Sequence, residues 1–445
     1  MRSALPTWLG TLATLVLLAC NPRAFDDYER SGEAHTAEAG ADPDAGERAA
    51  QAHDGGAGAA TDEQRDSHVD SGQLRDAQAR DSQVGDGQVS DAEPTSDATV
   101  ADAAPGDGGS EPPPLDPCGQ ARPRDPSDFA IADGGVTFLP AVAQHAALSA
   151  RAVFDVARYD DRLLWLFGMG FSAGTLSVSS SSSVAVTRLD APYDLPEARA
   201  DVGVPSGFFP DLPVDLALTG AGERLVYQPG SVIRFGAKSL LFYGVSVLGP
   251  NLSGRPIGVR VAELAFDGTD AGVSPLPDLL FAASSPTFRI GLSVDQEVYL
   301  YATRQKPDTH FECLLARAPL SSASVGASFR YRTESGWSSD VAAATPVMSD
   351  TQGELSVSYN PYLRRYLAVH FVWISNLIKL QSAERPEGPW QEFATITVPV
   401  ESDGWHAQAI EHPELARDCG RLLVLTYLHA LEGARELRRI EVRLQ

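Results

Sequence analysis

The sequence predicts an all-β protein whose folded part is a five-bladed β-propeller, placed after a signal peptide and a disordered linker. Three observations support this prediction. Short runs rich in β-forming residues, such as Leu163–Phe167 and Ser239–Val245, are separated by Gly, Pro, Asp and Ser. Similar units recur about every 40 to 60 residues, near the period of propeller blades. No long amphipathic helical pattern is present.

The recurring unit begins with a strand, continues through a hairpin with an Asp, Gly or Arg turn, and ends in a strand that holds a small residue and Arg. Five such units begin near residues 154, 231, 288, 355 and 412. If each unit forms one blade, the inner strands of all blades meet around a central axis. The alternative is a β-sandwich in which the spacing is coincidental.

Residues 1–19 are predicted to be a bacterial lipoprotein signal peptide. Arg2 supplies a positive charge, and residues 9–18 are apolar and uncharged. This run is too short to span a bilayer core, which needs about 20 apolar residues. It ends in Leu17-Leu18-Ala19-Cys20, which resembles the lipobox at which Cys20 is acylated. The alternative is an ordinary signal peptide with an incidental cysteine.

Acylation of Cys20 predicts where the protein resides. Several acyl chains, palmitate among them, would anchor it stably, because each buried CH₂ contributes about 0.8 kcal/mol. We therefore expect a lipid-anchored protein of the cell envelope, attached to the outer or the cytoplasmic membrane. Asn21 follows the cysteine in place of Asp. By resemblance to sorting rules in some Gram-negative bacteria, this favours the outer membrane.

Residues 20–115 are predicted to be a disordered acidic linker, and residues 116–445 the folded domain. Residues 21–120 hold 23 acidic residues against 6 arginines, so −17 of the formal −24 lies there. The segment lacks the apolar surface needed to offset the entropy of ordering. Its acidic repeats do not sustain the spacing of a Ca²⁺-binding loop, so we expect no bound metal ion. No cofactor is expected either. The acidity argues against nucleic acid partners, and a monomer is expected.

Three cysteines remain for the domain: Cys118, Cys313 and Cys419. In an exported protein, one disulfide and one spare thiol is the simplest accounting. We favour Cys118 with Cys419, because this bond would join the start of the domain to its last segment. The other pairings, and three free buried thiols, stay open.

Three segments together resemble a bacterial family of unknown function, DUF4185. They are Ser356–Pro361, Ala383–Trp390 and Glu411–Leu415, and the resemblance covers roughly residues 150–445. The family is related to the five-bladed propellers of furanosidase-type glycoside hydrolases, so the resemblance implies a glycan ligand. Where such domains often read Phe-Gly-Asp-Thr, this chain has Phe167-Gly168-Met169-Gly170. A polar pair is thus replaced by Met and Gly, which favours a non-catalytic interaction propeller as the alternative.

Glycoside hydrolysis needs two carboxyl groups that face one sugar, one protonated and one ionised. Acids at the starts of the units are the candidates, since inner strands of different blades meet at the axis. We select Asp155, Glu354 and Glu411 as the catalytic set, and expect Asp295 to be solvated in its turn. Glu414 is a further candidate. For each of them taken alone, the alternative is a turn or capping carboxylate.

Residues that bind a sugar are sought next to these acids. Trp405 lies in a loop and offers an aromatic face for a sugar ring, whereas Trp165 lies in an apolar strand and is expected in the core. Tyr359, Asn360 and His412 complete the predicted binding set. For His412, a hydrogen-bonded core histidine is the alternative. The function predicted is that of a lipid-anchored propeller that binds glycans, with hydrolysis of the bound glycan as the further expectation.

Overall fold

The structure is a computed structural model. It describes residues 126–145, 148–172, 178–195, 200–201, 204–205, 207–250, 253–306, 310–372, 375–400, 405–431 and 434–445. The predicted signal peptide, Cys20, the linker and Cys118 lie outside the described residues. Within the described ranges, no helix is both long and apolar enough to cross a membrane.

Five antiparallel sheets of four to six strands form the described part of the chain, together with one two-stranded hairpin. The first strand is β1 (Ile131–Leu139). Blade 1 contains β2 (Leu148–Tyr159), β3 (Arg162–Ser172), β4 (Val178–Ser180) and β5 (Ser183–Arg188). The hairpin of β6 (Ala200–Asp201) and β7 (Val204–Pro205) and a short helix, α1 (Pro213–Leu216), precede blade 2.

The remaining blades follow in chain order. Blade 2 contains β8 (Arg224–Phe235), β9 (Lys238–Leu248), β10 (Gly254–Phe266), β11 (Ala271–Pro275) and β12 (Phe281–Ala282). Blade 3 contains β13 (Ile290–Val294), β14 (Glu297–Gln305), β15 (Phe311–Pro319), β16 (Arg330–Thr333), β17 (Gly336–Ser338) and β18 (Met348–Ser349). Blade 4 contains β19 (Thr351–Asn360), β20 (Arg365–Val372), β21 (Leu377–Ala383) and β22 (Gln391–Thr397).

Blade 5 is built from both ends of the described chain. It contains β23 (Trp405–Glu411), β24 (Leu422–Leu431) and β25 (Ala434–Leu444), and β1 supplies its outer strand by pairing with β25. The innermost strands are β2, β8, β13, β19 and β23, and each contacts the innermost strand of the next blade. Because β23 also contacts β2, the ring is closed. The predicted five-bladed propeller is therefore confirmed.

The core is divided into five apolar clusters, one between each pair of neighbouring blades. Both faces of a blade are therefore covered by its neighbours. Strand β9 shows the consequence, since every residue after Lys238 in it is buried. A strand covered on both faces reads as a continuous apolar run rather than an alternating one. This explains why runs such as Leu240–Val245 were recognisable from the sequence.

The structure describes two of the three cysteines predicted to lie in the domain. Cys419 is disulfide-bonded, and Cys313 is a buried free thiol in the cluster between blades 3 and 4. One disulfide-bonded cysteine and one free thiol agree with the prediction from the sequence. Cys118 lies outside the described residues, so its pairing with Cys419 stays a prediction.

Candidate functional site

All five inner strands line one cavity of about 420 Å³ on the propeller axis. This volume is within the range of small-ligand sites, about 300 to 1,000 Å³. The lining residues come from the C-terminal halves of β2, β8, β19 and β23, from most of β13 and from the turn after β23. They are Phe154–Arg158, Ser231–Arg234, Ile290–Ser293, Leu355–Tyr359, Ile410, Glu411, Pro413 and Glu414.

Side chains satisfy the backbone where the inner strands approach one another. The Val232 N–H donates to Oδ2 of Asp155 (2.8 Å), and the Gly291 N–H donates to Oγ of Ser231 (2.9 Å). Strands at the axis lack a further neighbour in their own sheet, so these amides need other acceptors. The polar residues at the unit starts therefore hold neighbouring blades together as well as lining the cavity.

Asp155 lies on β2 and faces the cavity from blade 1. Burial raises the pKa of its carboxyl from 3.8 to about 7, although backbone N–H groups of Val232 and Val156 act in the opposite direction. Desolvation disfavours the charged form, and two hydrogen bonds to the carboxylate do not compensate for it. Asp155 can therefore carry or release a proton near neutral pH.

Glu411 is the last residue of β23 and is buried against β19. Its Oε2 accepts a hydrogen bond from the Ser358 hydroxyl (2.5 Å), and its N–H donates to Oγ of Ser356 (2.8 Å). Burial raises the pKa of Glu411 to about 7, and the Ser358 hydrogen bond lowers it only in part. Two alternate residues of one strand thus fix both the backbone and the carboxyl of Glu411.

Glu414 follows in the short 3₁₀ turn Pro413–Leu415 and lines the same cavity. Burial raises its pKa well above the usual value, and the negative charges of Asp155 and Glu411 raise it further. The three carboxyl groups therefore influence one another. In such a set a proton is shared, and its affinity belongs to the group of acids more than to one residue.

The shared cavity gives these acids a defined chemical capacity. Around neutral pH the set can hold one protonated carboxyl next to an ionised one. This is the combination that general acid and general base catalysis of glycoside cleavage requires. Within the described residues, no group of three or more His, Cys, Asp or Glu side chains could hold a metal ion. Three carboxyl groups that line one cavity with raised pKa values are suited to proton transfer.

Asp155→Asn is expected to change how stability depends on pH. A carboxyl whose pKa is higher in the folded state than in the unfolded state destabilises the fold as pH rises between the two values. The free energy of unfolding should thus fall between about pH 4 and pH 7 in the wild type. The variant should lose part of that fall and be more stable at pH 8 by about 2 kcal/mol. Urea denaturation at several pH values measures this.

The matched control is Asp295→Asn, since Asp295 is exposed in the β13–β14 turn at a φ of 48°, which Asn also adopts. The control should keep the wild-type pH dependence. If Asp155→Asn also kept it, the raised pKa of Asp155 would be disproved.

Glu354, the third acid of the predicted catalytic set, is placed elsewhere. It is buried and forms an ion pair with the guanidinium of Arg289, with side-chain exposures of 1% and 3%. Arg289 also donates to the Pro229 carbonyl (3.1 Å). Glu354 does not line the axial cavity, which begins at Leu355 on this strand. The structure thus assigns Glu354 a charge-pairing role rather than a place beside Asp155 and Glu411.

The predicted binding residues separate into two groups. Tyr359 is 48% exposed and lines the cavity, which fits sugar contact. Asn360 is buried, accepts from the Leu363 N–H (2.9 Å) and donates to the Gly420 carbonyl (2.9 Å). It stabilises the turn after β19 and does not reach the cavity, which corrects its expected binding role.

His412 also belongs to the core. Its Nε2 is hydrogen-bonded to Oγ1 of Thr426 (2.7 Å), and its ring lies 5.4 Å from that of Trp165. Burial lowers its pKa to about 3, so the ring is neutral at physiological pH. The expected binding role is replaced by the alternative of a hydrogen-bonded core histidine. Trp165 is buried as predicted, and the side chain of Trp405 lies outside the described residues.

Two features of the site were missed from the sequence. Glu414 was not selected for the catalytic set, although it lies three residues after Glu411. The second feature is the pair Ser356 and Ser358. The sequence indicates that these two side chains face the same side, because they are alternate residues of one strand. What the sequence lacked was the identity of their partner, Glu411, which is more than 50 residues away.

Comparison with known proteins identifies one family to which part of the chain is similar. Residues 278–417 match the family model DUF4185, a domain of unknown function. This part of the chain is therefore similar to DUF4185. The match contains the three segments on which the resemblance was based, and it spans blade 3, blade 4 and the inner strand of blade 5. The axial cavity also includes residues from blades 1 and 2, which lie outside the matched range. No curated protein matches the chain.

Solved structures similar to this one are glycoside hydrolases. A family 117 glycoside hydrolase of Zobellia galactanivorans has a TM-score of 0.46 and 9% identity, over 72% of this chain and 92% of its own. The catalytic domain of a GH62 α-L-arabinofuranosidase of Coprinopsis cinerea has a TM-score of 0.43 and 11% identity, over 72% and 98%. A GH43_1 enzyme of Xanthomonas citri has a TM-score of 0.41 and 12% identity, over 69% and 90%.

Proposed function

We propose that this protein binds a glycan in the axial cavity and hydrolyses a glycosidic bond there. The observation that carries the proposal is the convergence of Asp155, Glu411 and Glu414 on one cavity with raised pKa values. The acids come from blades 1 and 5. Only the closed ring therefore brings them together.

Each acid has a proposed role. Glu414, whose pKa is raised well above its usual value by burial and by the charges of Asp155 and Glu411, is the general acid that protonates the leaving oxygen. Glu411 is the ionised partner, acting as base or nucleophile, because Ser358 donates a hydrogen bond to its carboxylate. Asp155 acts through its negative charge, which raises the proton affinity of Glu414 beyond the effect of burial. Tyr359 at the rim supplies an exposed aromatic ring for a sugar.

The experiment is a screen of the purified domain against soluble arabinoxylan, arabinogalactan and alginate, with reducing-end release measured between pH 5 and 9. Release of reducing ends from at least one polymer is expected. Absence of both turnover and binding across such polymers would overturn the proposal.

A second candidate is glycan binding without hydrolysis. It is favoured by Met169, which is buried where related domains often carry a polar residue. The axial cavity would then be a recognition site whose acids accept hydrogen bonds from sugar hydroxyls. Retention of a polymer by the wild type with no release of reducing ends selects this candidate.

We also propose that Cys20 is lipidated and carries the domain on the outer membrane of the cell envelope. The support is the order of Arg2, the apolar run and Leu17–Cys20 in the sequence. Cys20→Ser is expected to move the protein from the membrane fraction to the soluble fraction, as measured by fractionation and immunoblotting. A variant that still fractionates with membranes would contradict the proposal.

A further inference from the structure

A second cavity lies between blades 3 and 4, away from the axis. This groove has a volume of about 610 Å³. One wall comes from the β16–β17 hairpin and includes Arg332, Glu334 and Trp337. The other comes from the β21–β22 connection and includes Arg385 and Glu387. None of these residues belongs to the proposed catalytic set.

Trp337 is a partly exposed aromatic ring that its neighbours fix in place. The guanidinium carbon of Arg317 lies 4.1 Å from the ring centroid, and the ring of Tyr299 meets it edge-on at 6.3 Å. Arg317 is itself held by carboxylate oxygens of Glu297 (3.4 Å) and Glu387 (3.9 Å). Because the ring of Trp337 is already ordered, stacking of a sugar on it costs little additional side-chain entropy.

Hydrogen-bonding groups surround this ring. Arg385 and Glu334 are exposed at the groove and form no ion pair within the described residues. They present five N–H donors and two carboxylate oxygens, respectively, to a ligand. An ordered aromatic face flanked by donors and acceptors matches a sugar ring, which has C–H groups on one face and hydroxyls at its edge.

The groove opens on the same edge of blade 4 as the axial cavity. Strands β19 and β21 run in the same direction, so the β19–β20 turn and the β21–β22 connection lie at one edge. Tyr359 at the rim of the axial cavity packs edge-on against Tyr366 (5.4 Å), which pairs with Ala383 at the end of β21. The Tyr299 hydroxyl donates to Oε1 of Glu387 (3.4 Å). Aromatic side chains therefore lie between the two cavities.

We infer that the Trp337 groove is a second sugar-binding position for the glycan chain that enters the axial cavity. The inference rests on the proposed function and extends it, because it specifies the ligand class. The ligand is an oligosaccharide or polysaccharide long enough to occupy both positions, and Trp337 stacks on a sugar remote from the acids.

The test is affinity electrophoresis of the full domain in native gels cast with arabinoxylan, arabinogalactan or alginate. A trisaccharide prepared from the retarding polymer is measured by isothermal titration. Trp337→Ala is expected to weaken polymer binding about tenfold and to leave trisaccharide binding unchanged. Tyr359→Ala should weaken both. Trp337→Phe retains a ring and should bind nearly as the wild type. Phe138→Ala, an exposed aromatic on β1, is the control, and melting temperatures verify folding.

The outcomes separate the two claims. A wild type that no polymer retards overturns the proposed function and this inference together. Retardation of the wild type with unchanged retardation of Trp337→Ala overturns the inference alone. Equal loss of trisaccharide and polymer binding in Trp337→Ala also overturns it, because the groove would then not be a separate position. Loss in Trp337→Ala with no effect of Tyr359→Ala shows a groove that acts without the axial cavity, which contradicts the shared chain.

Discussion

Glu411→Gln is expected to lower glycan hydrolysis by at least about a hundredfold, the usual loss when a general acid or base is removed. The amide has nearly the shape of the carboxyl and can accept the Ser358 hydrogen bond, so the fold should persist. What is lost is the ionised oxygen. Initial rates of reducing-end release from the polymer that the wild type cleaves measure the effect.

The pH profile makes this prediction specific. The wild-type rate should rise as Glu411 ionises near pH 7 and fall at the pH where Glu414, whose pKa is raised well above its usual value, loses its proton. The residual activity of Glu411→Gln should lack the rising limb. Glu263→Gln removes an exposed carboxylate paired with Lys238 on blade 2 and serves as the control. Wild-type turnover in Glu411→Gln would exclude a catalytic role for this residue.

Glu354→Gln is expected to destabilise the fold by about 3 kcal/mol, because removing one partner leaves a buried charge uncompensated. The ion pair with Arg289 has almost no solvent exposure, so water cannot replace the lost carboxylate. Urea denaturation at pH 7 gives the free energy of unfolding. Binding of glycan by the remaining folded protein should be unchanged, which separates a charge-pairing role from a catalytic one.

Two further variants make the second prediction decisive. Glu263→Gln breaks an exposed ion pair and should cost less than about 1 kcal/mol. The double variant with Arg289→Met and Glu354→Leu removes both buried charges and should recover much of the lost stability. A single variant Glu354→Gln as stable as the wild type would show that the pair carries little energy.

The sequence was sufficient for the blades because local patterns determine them. Each blade buries both faces of its strands, and this leaves apolar runs such as that of β9 at regular intervals. The start positions predicted near residues 154, 231, 288 and 355 fall within or next to inner strands. The fifth unit was predicted to start near residue 412, which is after the end of the last inner strand, Trp405–Glu411. This strand has mixed polar and apolar residues, so its start is not marked by an apolar run. The Ser402–His406 region therefore read as a loop.

The roles of individual acids could not be predicted, because they depend on partners far along the chain. Glu354 and Glu411 both lie in an inner strand, and their local sequences do not distinguish them. Arg289, 65 residues before Glu354, determines that Glu354 is a paired charge. Ser358, 53 residues before Glu411, instead donates a hydrogen bond to the Glu411 carboxyl, which lines the cavity. Only the three-dimensional arrangement provides these neighbours.

The closure of blade 5 has a consequence for how the chain must fold. Phe138 on β1 pairs with Ile440 on β25, 302 residues later in the chain. Contacts of such long range form slowly, because the intervening loop must first be ordered. Until β25 arrives, β1 and β24 each present an open row of backbone hydrogen-bonding groups, which another strand can join. The newly synthesised chain is thus most prone to aggregation just before β1 and β25 meet.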